Sequence, residues 1–134
     1  MIERLNPPTV HATAGYSHVT ISPAGRLVHL AGQCPLDLTG TVVGEPGDYG
    51  AQTAQVIVNC LAVLDAAGAG PADVVRSVIY VVSPDSTVLA AVWRHLTASP
   101  LAPAFTTAST LVGVAALGYQ GQLVEVDLTA ALPD

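Results

Sequence analysis

"STLVGVAALGYQGQLVEVDLTA", residues 109–130, is the stretch on which the fold reading turns. It reads as an apolar strand around Thr110 to Val114, a turn at "ALGYQG", and a final strand from Gln122 to Thr129. On the final strand a period of two sends Val124, Val126 and Leu128 to one face. Leu123, Glu125, Asp127 and Thr129 go to the other. No other acid occurs between Asp85 and Glu125. The two acids have two readings. They decorate a solvated face, or, if that face is covered, a carboxylate on it must be hydrogen-bonded, paired or functional.

Working upstream, "SPLAP" (99–103) breaks a helix expected over roughly Asp85 to Thr97, with Pro84 near its first turn and Val88, Val92 and Leu96 on one stripe. The β-branched run "VVRSVIYVV" (74–82) reads as a buried strand. Before it, Asp48 caps a helix running to about Ala67, with Val56, Cys60, Val63 and Ala67 at helical spacing and Gly68 as its stop. "DLTGTVVGEPGD" (37–48) is a Gly/Pro-punctuated connection. Nearer the start, a short strand is expected at 9–13. "SHVTIS" (17–22) and "RLVHLAGQ" (26–33) are expected to pair as a hairpin around the turn "SPAG" (22–25). The order β-β-β-α-β-α-β-β predicts a single α+β domain over residues 1–134. This is a sandwich of one mostly antiparallel sheet with two helices on one face. The other face then needs a cover, and copies of the same chain are the simplest one.

Composition points the same way. Of 134 residues, 51 % are hydrophobic and only 10 % charged, against about 25 % charged in an average soluble domain. A chain this apolar is expected to bury surface in an oligomer. No apolar run approaches the ~20 residues that span a bilayer. The stretch "MIERLNPPTV" carries an acid and no apolar core of a leader, so the expectation is a cytoplasmic protein without a membrane partner. The net charge of −6, the four arginines (Arg4, Arg26, Arg76, Arg94) and the absence of lysine argue against a nucleic-acid partner. Without lysine there is neither a lysine Schiff base nor a phosphate-loop lysine. Cys34 and Cys60 stand far apart in apolar surroundings, which favours packing roles.

"AGYSH" (14–18), "LAGQCPLD" (30–37), "AQTAQVIVNCLAVLDAAG" (51–68), "DVVRSVIYV" (73–81) and "LVEVDLTA" (123–130) occur in this order along nearly the whole chain. Together they resemble the Rid family, also called the YjgF family. The resemblance implies a chorismate-mutase-like fold and a homotrimer with ligand clefts between subunits. It also implies hydrolysis of reactive enamines and imines such as 2-aminoacrylate to keto acids and ammonia. By the same resemblance Tyr16 is the cleft tyrosine. Ala31 (where the family usually has serine) and Gly32 line the site. Glu125 is the acid that positions water or moves a proton, and Asp127 falls on a second acidic position with a structural role.

One departure alters the expectation. Deaminating members carry an arginine just before the penultimate strand, where it clamps the substrate carboxylate in bidentate fashion. Aligned without a gap, Ser109 stands there. Anchored on "PAFTT" (103–107), Phe105 does. No arginine follows Arg94. Losing such a contact costs about 1.5–3 kcal/mol, or roughly 10- to 150-fold in binding. Trp93 stands where deaminating members often have a smaller polar residue, and it either lines the cleft or fills the core. Of the four histidines (His11, His18, His29, His95), His18 is the one expected near a ligand. No motif predicts a metal or a cofactor.

Two functions follow as expectations. One is a divergent imine or enamine hydrolase with Glu125 on the water and Tyr16 orienting a small molecule that needs no arginine clamp. The other is a non-catalytic trimeric module holding a small molecule in the same clefts. An endoribonuclease fits poorly with four arginines, no lysine and a charge of −6.

Overall fold

The computed structural model describes every residue except Ala24 and Asp134. Its elements run β1 (Glu3–Leu5), β2 (Val19–Ile21), β3 (Leu27–His29), α1 (Tyr49–Ala66), β4 (Val74–Val82), α2 (Ser86–Thr97), β5 (Ala108–Val114) and β6 (Val124–Ala131). Short 3-10 turns at Pro71–Asp73 and Ala102–Phe105 precede β4 and β5. The main sheet has the order β3-β6-β4-β5, and β1 and β2 form a separate two-stranded ribbon.

This order explains why both helices share one face. β3 and β4 each pair antiparallel with β6, so they run parallel to each other, while β4 and β5 pair parallel directly. Parallel strands need crossovers, which α1 and α2 supply. Both crossovers step in the same direction across the sheet, and a common right hand then places both helices on the same side. β6, last in sequence, inserts between β3 and β4. Of the three pairings in this sheet, only β4–β5 is parallel.

The core lies between the helices and this face. Val124, Val126, Leu128 and Ala130 of β6 are completely buried, as are Ser77, Ile79 and Val81 of β4. They meet Val56, Cys60 and Leu64 of α1 and Val92 and Leu96 of α2. Each Val or Leu so buried contributes about 1.5–3 kcal/mol relative to exposure. The alternation expected for the last strand is the one observed, with Glu125, Asp127 and Thr129 half-buried on the side away from the helices.

α1 begins where its cap was expected, with the Asp48 carboxylate accepting from the Ala51 N–H at 2.9 Å. Gly68 follows its end at φ +78, a backbone region that favours glycine. The stripe differs from expectation. Leu64 is fully buried and Val63 is 38 % exposed, because the buried row steps 56, 60, 64 along the helix and leaves Val63 and Ala67 off it. Asp85 caps α2 through the Thr87 N–H instead of beginning it.

The start of the chain corrects two expectations. Residues 9–13 form no strand, since Pro7 and Pro8 remove two donors from the approach and the nearest strand is β1. β2 and β3 do not pair as a hairpin. β2 takes β1 as partner (Arg4 opposite Thr20), and β3 takes β6 (Val28 opposite Ala130). The long-range pairing packs Val28 and Leu30 against the core, a gain that a local hairpin would forgo. The expected turn at 22–25 includes Ala24 and so lies partly outside the described residues. Among the described residues no helix is long and apolar enough to cross a membrane.

Candidate functional site

The sequence candidates gather in two groups. The first surrounds Glu125 on β6. Its Oε1 accepts from the Cys34 thiol at 3.3 Å and from the Gln122 amide at 3.2 Å. Its Oε2 points at Gly32, where an added Cβ would stand 2.4 Å from that oxygen. Gly32 is therefore glycine because the carboxylate occupies the space of a side chain. Two polar residues of α1 hold this arrangement. Gln52, fully buried, accepts from the Leu123 N–H at 2.7 Å and donates to the Gly121 carbonyl at 2.9 Å, fixing the entry into β6. Asn59 donates to the carbonyls of Cys34 and Leu36, both at 2.9 Å, fixing the loop that carries Gly32 and Cys34. Burial first, and then the hydrogen bond and charge of Glu125, push the Cys34 thiol up to about 11. Near neutral pH it is a protonated donor to the carboxylate and not a nucleophile.

The second group surrounds Tyr16. Its segment is pinned to the start of β5 by buried Ser17, whose N–H donates to the Thr107 carbonyl at 3.1 Å and whose hydroxyl donates to the Thr106 carbonyl at 2.7 Å. The Tyr16 ring stands edge-on to Trp93 of α2, with centroids 6.4 Å apart, and Trp93 stands edge-on to Phe105 at 5.9 Å. A hollow of about 310 Å³ is lined by Tyr16, Trp93, Ser109, Ala14, Ala90 and Leu111. Both positions considered for the lost arginine are here. Ser109 lines the hollow, and Phe105 lines a neighbouring one across Trp93. Trp93 packs against the core and, half-buried, forms the wall between the two hollows. His18 stays outside this lining. Its ring is 6.0 Å from that of Tyr16, and its Nε2 is 2.8 Å from the His11 carbonyl.

One chain does not bring the two groups together. Ser109 pairs with Ser77, on the helix face, while Glu125 pairs with Tyr80 on the opposite face. Two strand spacings and three residues along β4 separate Ser109 from Glu125 in the sheet, roughly 14 Å. Gly32 belongs to the Glu125 group, Ala31 is exposed beside it on the same segment, and Asp127 lies one alternation further along that face, opposite Val78.

Sequence reading missed several partners. Cys34 meets Glu125 from a distant segment, a contact that needs the Gln33–Val126 bridge, while Gln122 reaches it from three residues upstream. The Nε2 of His11 lies 3.3 Å from the Tyr16 hydroxyl, and only the i to i+5 proximity hinted at it. Among the described residues no group of three or more His, Cys, Asp or Glu is placed to hold a metal.

Residues 7–132 match the family described as Endoribonuclease L-PSP. Among solved structures, the chain is similar to YyfB from Yersinia pestis, described as a protein of unknown function of the conserved Rid family. Identity is 38 %, with 98 % of each chain covered and a TM-score of 0.87. YyfA from the same organism, described in the same terms, is 25 % identical with a TM-score of 0.68, over 98 % of this chain and all of the other. A Mycobacterium tuberculosis member of the YjgF/YER057c/UK114 family is also 25 % identical, with a TM-score of 0.63 and the same coverage. No curated protein matches at a significant level. With residues 7–132 matching the family and 98 % of the chain aligned with a Rid-family structure of 38 % identity, the chain belongs to the Rid/YjgF family.

Proposed function

We propose that the protein hydrolyses imines or enamines in a site built from two subunits of a homotrimer. One subunit supplies Glu125 with Gly32, and its neighbour supplies Tyr16, Trp93 and Ser109. The observation that carries this reading is the setting of Glu125. It is half-buried and oriented by two neutral donors, Cys34 and Gln122, without an ion pair among the described residues, which leaves its second oxygen free to handle a reacting proton. Hydrolysis of C=N requires that handling. Glu125 takes a proton from water as the new C–O bond forms, and the proton passes to nitrogen. The hydroxyl proton of the carbinolamine then passes to nitrogen, and ammonia leaves as the C–N bond breaks and the carbonyl forms. The family name suggests ribonuclease chemistry, but a chain of net charge −6 without lysine lacks the cations that would hold a phosphodiester backbone.

The test compares two imines released in place by oxidases. One comes from phenethylamine and carries no carboxylate. The other comes from phenylalanine and does. Semicarbazide traps the imine that escapes hydrolysis. The expected result is protection of the phenethylamine imine from trapping, lost by about 100-fold in Glu125→Gln. An unchanged Glu125→Gln variant removes the hydrolase, and ligand retention without turnover in the wild type favours the binding module.

A further inference from the structure

The chain has one tryptophan, one phenylalanine and four tyrosines. Tyr16 and Trp93 line the hollow described above, Phe105 lines the neighbouring one across Trp93, and two histidine rings extend the row. His11 stands edge-on to His18 at 4.6 Å, His18 to Tyr16 at 6.0 Å, Tyr16 to Trp93 at 6.4 Å, and Trp93 to Phe105 at 5.9 Å. A chain with so few aromatic residues has spent half of its Trp, Phe and Tyr complement on one place. Core filling explains Phe105, which is 1 % exposed. It does not explain Trp93, which remains half-buried between hollows of about 310 and 410 Å³.

Among the described residues no charged side chain lines either hollow. The polar groups beside Trp93 are also largely occupied. The Ser109 hydroxyl donates to the Thr107 carbonyl at 3.0 Å and accepts from the Ser77 hydroxyl at 2.5 Å. The Tyr16 hydroxyl has His11 Nε2 on one side at 3.3 Å and keeps one further hydrogen-bonding position. A carboxylate entering here would lose its water without gaining a cation. A flat ring would lose nothing and would continue the edge-to-face row.

We infer that the hollow on Trp93 binds an uncharged small molecule with an aromatic body and a single polar group, a carbonyl or imine nitrogen, turned to the Tyr16 hydroxyl. Trp93 is the residue that selects it. This names the substrate class for the reading proposed above and rests on that reading for its catalytic meaning.

Because Trp93 is the chain's only tryptophan, its fluorescence reports on this hollow directly. Phenylacetamide, phenylacetate and acetamide serve as probes that separate ring from charge. Phenylacetamide is expected to change Trp93 emission saturably, with phenylacetate weaker by about tenfold or more and acetamide silent. Trp93→Leu, followed by calorimetry and checked for an intact melting transition, is expected to weaken phenylacetamide by about tenfold or more. Ser109→Arg is expected to reverse the preference in favour of phenylacetate. Equal affinity for the two ring probes, or phenylacetamide binding that survives Trp93→Leu, overturns the inference. Glu125→Gln separates the two readings, since it leaves phenylacetamide binding in place while ending turnover. Glu125-dependent hydrolysis without an emission change sinks the ligand class alone. An emission change without hydrolysis sinks the hydrolase alone.

Discussion

Glu125 and Gly32 form one unit at the residue scale, because the carboxylate fills the volume that a side chain at position 32 would need. Gly32→Ala meets the far end of a flexible side chain and not backbone, so the carboxylate moves and the fold stays. The expected outcome is a melting temperature near that of the wild type together with a large loss of imine hydrolysis, read by melting and by the trapping assay. Loss of both in proportion would mean that Gly32 serves the fold. The thiols allow a second prediction. Burial raises Cys60 to about 12, and burial with the Glu125 contact raises Cys34 to about 11, from an ordinary value of 9.0. A thiol that is harder to ionise when folded contributes stability in full below its unfolded value, near 9. That contribution is lost as pH rises through the folded value. The urea midpoint, measured under reducing conditions, is therefore expected to fall between pH 9 and 11. A flat profile over that range contradicts the assigned burial.

At the scale of elements, α1 holds the site through residues that a hydrophobic stripe does not display. Asn59 satisfies two loop carbonyls, and its removal costs about 1–3 kcal/mol for each partner left buried and unpaired. Asn59→Ala is expected to lower stability and hydrolysis together, since the Cys34 loop and hence the Glu125 donor are displaced. Asp85→Ala removes only the α2 cap, at about 1 kcal/mol, and should lower the urea midpoint with little effect on turnover. Hydrolysis preserved in Asn59→Ala would separate the loop from the chemistry. These elements also show what the sequence made legible. Capping residues, the 74–82 run and the alternation of 124–129 are local signals, and they placed α1, α2, β4 and β6 within a few residues. The pairing of β3 with β6 is set by burial of Val28 and Leu30 across a hundred residues of chain, which no local pattern encodes. Glu125 was readable through its motif and its face. Its contact with Cys34 was not, because it depends on a long-range register between distant segments.

For the whole molecule, the uncovered sheet face joins the fold to the site. Val78, Tyr80, Val112 and Glu125 share the side away from the helices, at paired positions on β4, β5 and β6. Tyr80 and Val112 are only half-buried there. Apolar side chains flanking a working carboxylate would lie in open water in a lone chain, while the Tyr16 group would face a separate solvent. Association of copies through this face removes both problems at once. In the trimer proposed above it would cover the valines and carry the Glu125 of one copy toward the Tyr16–Trp93 hollow of the next. The predicted solution mass is three times the 13.6 kDa chain. Val112→Asp places a charge on the β5 edge of the face, two strands from Glu125, without touching either group. It is expected to give a monomer with unchanged helical circular dichroism and no imine hydrolysis, because each site is left with one half. A wild type that sediments as a monomer, or a monomeric Val112→Asp that still hydrolyses imines, would show that one chain completes the site alone.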